Sequence, residues 1–288
     1  MTETDTRVNI IDPKLYQSGW SNNLITREYY FTDGRKLIGG KRGKRYFVDY
    51  LLVYKNTNLA IIEAKAQNKD PLDGLQQSIN YAQKLKIDFV YSTNGDKIYE
   101  HSLLCGKGRF IEDYPTPEEL FYRKFGKLKE QEERVITQNF YFEGNKKPRF
   151  YQQIAVQKAV EAIANDKNRV LLTLATGTGK TYIAFQIVYR LFQARWNKDK
   201  TNRRPKILIL ADRNVLKSQA MNEFNPMEKD LVDINGKDIK RRGGKVPTNG
   251  NVFFAIYQSI AENKNRIIEN SDEENEDEEN SILPNIEI

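Results

Sequence analysis

The sequence predicts an α/β protein in two parts followed by an acidic tail. Three observations predict it. Strand-like segments at Tyr46–Tyr54 and Leu59–Ala66 form a hairpin with charges in its middle. The run VLLTLATGTGKT, Val170 to Thr181, leads from apolar residues through a glycine-threonine loop into the helix-like TYIAFQIVYRLF. The end, SDEENEDEENSILPNIEI, is acidic and of low complexity, the signature of a disordered segment. A chain of 288 residues is long enough for two cores.

Composition narrows the chemistry. Hydrophobic residues make up 39% and charged residues 30%. Cys105 and His101 are single, which excludes an internal disulfide, a Cys/His zinc cluster and a multi-histidine metal site. Any catalytic metal is then held by carboxylates, phosphates, carbonyls and water, pointing to Mg²⁺ or Mn²⁺. No apolar run reaches the roughly 18 residues of a membrane helix, and MTETDTRVNI is too polar for a signal peptide, so a cytoplasmic protein without a membrane partner is expected. Residues 272–288 hold eight of the 39 acids and no base, leaving 46 basic against 31 acidic residues elsewhere, an excess of fifteen. That excess fits a polyanionic partner.

The elements follow in order. Val8, Ile11, Leu15 and Tyr16 have a helical rhythm ending near Gly19. Asp33-Gly34 and Gly39-Gly40 mark turns, and Lys41, Arg42, Lys44 and Arg45 are either phosphate contacts or a solvated hairpin tip. The turn Lys55–Asn58 joins the two hairpin strands. Glu63 and Lys65, two apart, leave the same face of their strand, and the turn can bring Asp49 beside them. Two carboxylates and an ammonium converging there either take a divalent cation, with Lys65 acting on the attacking water, or form an exposed cross-strand pair.

Asp49, thirteen intervening residues, then Glu63-Ala64-Lys65 resembles the core of the PD-(D/E)xK nucleases. More narrowly it is similar to the nuclease domain of the restriction (R, HsdR) subunit of type I restriction-modification enzymes. The resemblance implies a restriction-endonuclease-like mixed sheet with flanking helices over 1–114. It implies a supporting Gln and Tyr on the next helix, matched by Gln77 and Tyr81, which share one helical face. It also implies a further metal-binding acid in the first helix, matched by Glu3. IDFVYSTNG and DKIYEHSLL read as strands completing the sheet, His101 as structural, and 115–148 as a Pro-rich, charged connector whose PTPEEL opens a helix.

The second part, 149–262, is read as an ATP-binding lobe. Backbone N–H groups around Thr176, Gly177, Thr178 and Gly179 would cradle phosphates, Lys180 would reach the β and γ phosphates, and Thr181 would hold Mg²⁺. The first glycine of the usual phosphate-loop pattern is Leu174. Gln152 in RFYQ resembles the adenine-recognising Gln of superfamily 2 helicases and type I motor subunits. LADRNVLKSQ and NVFFAIYQSI resemble their next two motifs, with Ile256 where Thr is usual; GKDIKRRGGKV between them offers phosphate contacts or a mobile loop. The resemblance implies a RecA-like parallel-sheet lobe. It is incomplete, because no D-E-x-H follows Lys180, so ATP hydrolysis is open and the chain reads as truncated, with residues 263–288 as the acidic tail. The implied partners are double-stranded DNA and the methyltransferase (M) and specificity (S) subunits. A non-catalytic remnant and a DNA repair helicase-nuclease fragment are the alternatives.

Overall fold

The computed structural model describes residues 2–32, 44–144, 147–243 and 245–258. Asp33-Gly34, Gly39-Gly40, Lys41, Arg42 and the acidic tail lie outside them. The chain divides into two compact units. Residues 1–139 and 147–157 form one, and residues 140–146 and 158–288 the other.

The first unit opens with two short helices, α1 (Glu3–Thr6) and α2 (Asp12–Gln17), joined by a π-helical turn, Arg7–Ile11. Thr2 and Asp5 cap α1 reciprocally, and Gly19, at φ 87°, stops the helical run. Ile11 and Leu15 are buried as their spacing predicts, whereas Val8 and Tyr16 face solvent.

Strands β1 (Ile25–Thr32), β2 (Arg45–Tyr54), β3 (Thr57–Ala64), β4 (Phe89–Thr93), β5 (Ile98–Ser102) and β6 (Lys107–Ile111) line up in sequence order. Every neighbouring pair is antiparallel except β3 with β4, which the crossover helix α3 (Leu75–Leu85) makes parallel. The sheet is therefore mixed. The β2–β3 turn is tighter than the sequence suggests: Tyr54 pairs with Thr57, and Lys55 and Asn56, at φ 47° and 59°, form a two-residue loop that suits the strand twist. β3 is buried along almost its whole length, as befits a strand with parallel and antiparallel neighbours. Ala82 and Leu85 of α3 pack with Phe31, Val48, Leu51, Ile61, Ile87 and Val90. Each large side chain so buried contributes about 1.5–3 kcal/mol.

The segment expected as a connector is largely folded onto this unit. Helices α4 (Pro117–Phe125) and α5 (Glu130–Thr137) bury Leu120, Phe121, Val135 and Ile136. Arg123 grips Glu100 of β5 through two hydrogen bonds of 2.7 and 2.9 Å, and Trp20 Nε1–H donates to the Pro115 carbonyl. These apolar contacts outweigh the Pro-rich, charged composition. Helix α6 (Phe150–Ala164) runs through the division, with Gln157 still counted in the first unit and Lys158 in the second.

In the second unit, β7 (Ile207–Ala211), β9 (Val252–Ile256) and β8 (Leu231–Asp233) form a parallel sheet in the order β7-β9-β8. Helix α7 (Lys180–Gln193) supplies Phe185, Val188 and Phe192 to a core shared with Phe224, Met227, Val252 and Phe254. α8 (Asn214–Glu223) follows β7, and the basic segment holds a short helix, α9 (Gly236–Arg241). Buried Gln186 exchanges two 2.9 Å hydrogen bonds with the Tyr141 backbone.

The expected strand before the phosphate loop is not formed. Val170–Ala175 is in no ladder among the described residues, and Leu171 is 89% exposed. An apolar strand pattern becomes a strand only when a neighbour satisfies its backbone, and the described three-strand sheet does not take it in.

Candidate active site

Asp49 and Glu63 are brought together by register. β2 and β3 pair Tyr50 with Ile62 and Leu51 with Ile61, so the next residues facing each other are Asp49 and Glu63. This register exists because of an irregularity between Leu52 and Val53. The hairpin end pairs Val53 with Asn58, and carried inward that count would set Asp49 against Ile62. Where the ladder ends, the Ala64 N–H donates 2.7 Å to Asp49 Oδ2. Lys65, whose own N–H donates to the Thr93 carbonyl, sends Nζ back to Glu63 Oε1 at 2.8 Å, in keeping with their shared face.

The loop after β3 closes over this pair. Asn94 donates to the carbonyls of Gln67 and Lys69, and Asp70 caps the turn by accepting from the Leu72 N–H. The turn Pro71–Gly74 then passes so near the site that a Cβ on Gly74 would stand 2.6 Å from Lys65 Cε and 2.9 Å from Glu63 Cγ. Any side chain there would force Lys65 and Glu63 to move. α3 starts next and presents Gln77 and Tyr81, hydrogen bonded to each other, with Tyr81 within electrostatic reach of Glu63.

Burial drives Glu63 above the ordinary carboxylate value; the hydrogen bond from Lys65 opposes this and the charge of Asp49 adds to it. For Lys65, burial pulls the ammonium down, but the hydrogen bond and charge of Glu63, with Glu3 and Asp49 behind, outweigh it and the net shift is upward. Lys65 is thus an ammonium in this arrangement, a proton donor and charge anchor. Burial, then the charge of Glu63, also raises the Tyr81 phenol.

Among the described residues no group of three or more Asp, Glu, His or Cys is close enough to enclose a metal. The charge of Glu3 is nevertheless felt by both Glu63 and Lys65. Glu3 lies across from Arg7, whose guanidinium is 4.0 Å from Glu3 Oε1 and donates 3.2 Å to Asp49 Oδ1. The carboxylates of Asp49 and Glu63 still suit a hard divalent ion, since Mg²⁺ commonly takes one or two carboxylates and completes its shell with water and phosphate oxygens. A cation already lies against Asp49 in the form of Arg7.

In the second unit the glycine-threonine loop turns through two left-handed glycines. Gly177 and Gly179 are at φ 77° and 84°, and Gly179 caps α7. Lys180 Nζ donates to the Leu174 and Ala175 carbonyls at 2.9 and 3.2 Å, and Thr178 Oγ donates to Ala175. Thr176, Thr181 and Lys180 are exposed. Gln152 belongs to the first unit, where its side-chain oxygen accepts from the Arg149 N–H at the start of α6. The carbonyl expected to read adenine therefore serves the helix end here.

Known proteins extend this geometry. A family model described as the res subunit of type III restriction enzymes matches residues 145–283. The endonuclease subunit of the type I restriction enzyme EcoAI from Escherichia coli is 38% identical over 276 residues, covering 90% of this chain. This chain is similar in sequence to type I restriction endonuclease subunits. The EcoKI endonuclease subunit of Escherichia coli K12 is 26% identical, again over 90% of the chain. A solved fragment assigned to an HsdR subunit of a type I restriction enzyme from Vibrio vulnificus YJ016 aligns with a TM-score of 0.77 at 38% identity, over 92% of this chain and 49% of that one. The chain spans 32% and 27% of the lengths of the two curated relatives.

Three residues of the site escaped the sequence reading. Neither Arg7 nor Gly74 had a motif to mark it, and Glu28 lies across from Asp49 only by the β1–β2 register, which pairs Arg27 with Tyr50 and Tyr29 with Val48. A charged residue facing Asp49 is visible only once that register is known.

Proposed function

We propose that the first unit is the nuclease of a type I restriction R subunit, cutting duplex DNA with a divalent metal, and that the second unit carries an ATP-binding phosphate loop. The convergence of Asp49, Glu63 and Lys65 under Gly74, with Gln77 and Tyr81 on the adjoining helix, carries the reading. Asp49 and Glu63 would hold Mg²⁺, with Thr181 a separate ligand for the ion that accompanies ATP. Mg²⁺ when bound supplies a Lewis acid for the phosphodiester and lowers the pKa of water. Asp49 is oriented by the Ala64 N–H, which leaves Oδ1 as its outward oxygen. Lys65 neutralises Glu63 and can donate a proton or a hydrogen bond to the cleaved phosphate. Gln77 and Tyr81 brace the Glu63 side of the pocket.

In the whole enzyme, ATP-driven translocation would feed DNA to this site, and the M and S subunits would supply the recognition sequence. The isolated chain's nucleotide half is the less complete one, because Val170–Ala175 joins no strand ladder among the described residues. The test is Lys65→Ala. Mg²⁺-dependent nicking of supercoiled plasmid should disappear while circular dichroism stays unchanged, and cleavage persisting in this variant refutes the assignment.

A further inference from the structure

The geometry points to Arg7 as a built-in counter-cation of the nuclease site, which neutralises Asp49 when no divalent ion is bound and must leave it when one binds. The inference rests on the metal-site reading above and adds a residue that reading does not use. Arg7 faces three carboxylates, with distances of 3.2 Å to Asp49 Oδ1, 3.8 Å to Glu28 Oε1 and 4.0 Å to Glu3 Oε1. Its side chain is only 18% exposed, and its Nε is buried without a hydrogen-bond partner among the described residues. A guanidinium that gives up one donor in order to reach Asp49 is held there by charge rather than by full hydrogen-bond satisfaction.

The backbone around it is built for this placement. Arg7 opens the π-helical turn between α1 and α2, and such turns re-aim a side chain within a helix. That segment is fastened to the β4–β5 turn, where Lys14 Nζ donates to the Gly95 carbonyl and a Cβ on Gly95 would come within 2.9 Å of Thr6. On the other side, Glu28 holds φ 51° inside β1, a conformation that a side-chain-bearing residue adopts at a cost. Its register position is opposite Asp49, and its carboxylate is largely exposed. Glu28 offers Arg7 a second anchor close to the first. When a divalent ion takes Oδ1 of Asp49, the guanidinium can shift toward Glu28 without losing all its negative partners.

The consequence is competition. The apo site stays charge-balanced and folded, and metal affinity is held down until phosphate oxygens join the ion's shell. Mn²⁺ binding to the full chain without DNA, followed by loss of the free-ion electron paramagnetic resonance signal, tests this in wild type, R7Q, D49A and R7Q/D49A. R7Q should bind Mn²⁺ more tightly by on the order of tenfold, the scale of one unit charge removed from a partly screened site. Structural damage alone would weaken binding. The gain should vanish in R7Q/D49A. Unchanged or weaker binding in R7Q overturns the role of Arg7. D49A binding Mn²⁺ as wild type does overturns the metal site beneath it, and with it the inference. Should R7Q fail to fold by circular dichroism, the Arg7 Nε–H resonance of ¹⁵N-labelled wild type decides. It should move on addition of Mg²⁺, and a stationary signal overturns the proposal.

Discussion

Gly74 is at φ −107°, so an alanine there suffers no backbone strain and acts only through the volume of its methyl group. That methyl would stand 2.6 Å from Lys65 Cε, 2.9 Å from Lys65 Nζ and 2.9 Å from Glu63 Cγ, where ordinary contact begins at 3.4 Å. Restoring contact moves Lys65 Cε by about 0.8 Å and Glu63 Cγ by about 0.5 Å from their present positions. The lysine end can swing, but Glu63 Cγ belongs to a buried strand and yields less easily. Overpacking of this size costs about 1 kcal/mol, the low end of the usual range. The effect on chemistry is larger, because a displacement near 1 Å at reacting groups costs up to about 100-fold in rate. Gly74→Ala should therefore lower Mg²⁺-dependent plasmid nicking by roughly 10- to 100-fold while shifting the urea midpoint only slightly. Nicking at the wild-type rate would refute the claim that the turn sets the Glu63–Lys65 geometry. A variant that unfolds would refute the estimate of the strain.

Other predictions concern stability and the nucleotide loop. Burial pushes Glu100 up, but hydrogen bonds from Arg123 and Tyr91 and the Arg123 charge outweigh it, so its carboxyl is depressed below the ordinary 4.5. A depressed folded value means stability that is present above 4.5 and lost as pH falls through the folded value. Arg123→Ala should cost about 2 kcal/mol at pH 7, less than a fully buried pair because part of Arg123 meets water. That cost should shrink as pH falls through the folded value of Glu100, because protonation removes the pairing from the wild type as well; a cost that stays constant with pH would contradict the pairing. In the second unit, Lys180→Ala should weaken binding of a fluorescent ATP analogue at least about tenfold. Gly179→Ala, forced to φ 84°, should lower stability of the helix start by about 1 kcal/mol as well. Analogue binding unchanged in Lys180→Ala would remove the loop from the site.

The meeting of Asp49, Glu63 and Lys65 was legible because its signal is local: Glu63 and Lys65 share a face by the period of a strand, and a hairpin brings back Asp49. Gln77 and Tyr81 were legible for the same reason, four apart on one helix. The phosphate loop showed in its glycines. What stayed hidden depends on long-range pairing. Val170–Ala175 has a strand's composition, yet composition does not supply a neighbour, and the ladder is absent from the described residues. β8 is three residues long, too short for a periodic signal. The stretch 115–148 reads as a connector by its prolines and charges, but Leu120, Phe121, Val135 and Ile136 within it are buried. Gln152 has the right type and position for a base reader, and its competing role at the α6 terminus follows from a contact to its own turn.

The β2–β3 pairing explains why the triad's spacing works at all. The two-residue turn at Lys55 and Asn56 fixes the hairpin end, so every position inward is determined by counting. By that count Asp49 would face Ile62, and its alternating partner set would shift by one, turning the wrong side chains toward the site. The irregularity between Leu52 and Val53 adds the single residue that restores Asp49 to Glu63. The site is therefore set by two opposed constraints, a tight turn that specifies one register and a bulge that corrects it. The ladder then ends at the residues that need free oxygens. Asp49 spends one carboxylate oxygen on the Ala64 N–H in place of a strand bond, and the other is left for a cation. A hairpin without the bulge would be a more regular sheet with Asp49 opposite Ile62 in place of Glu63.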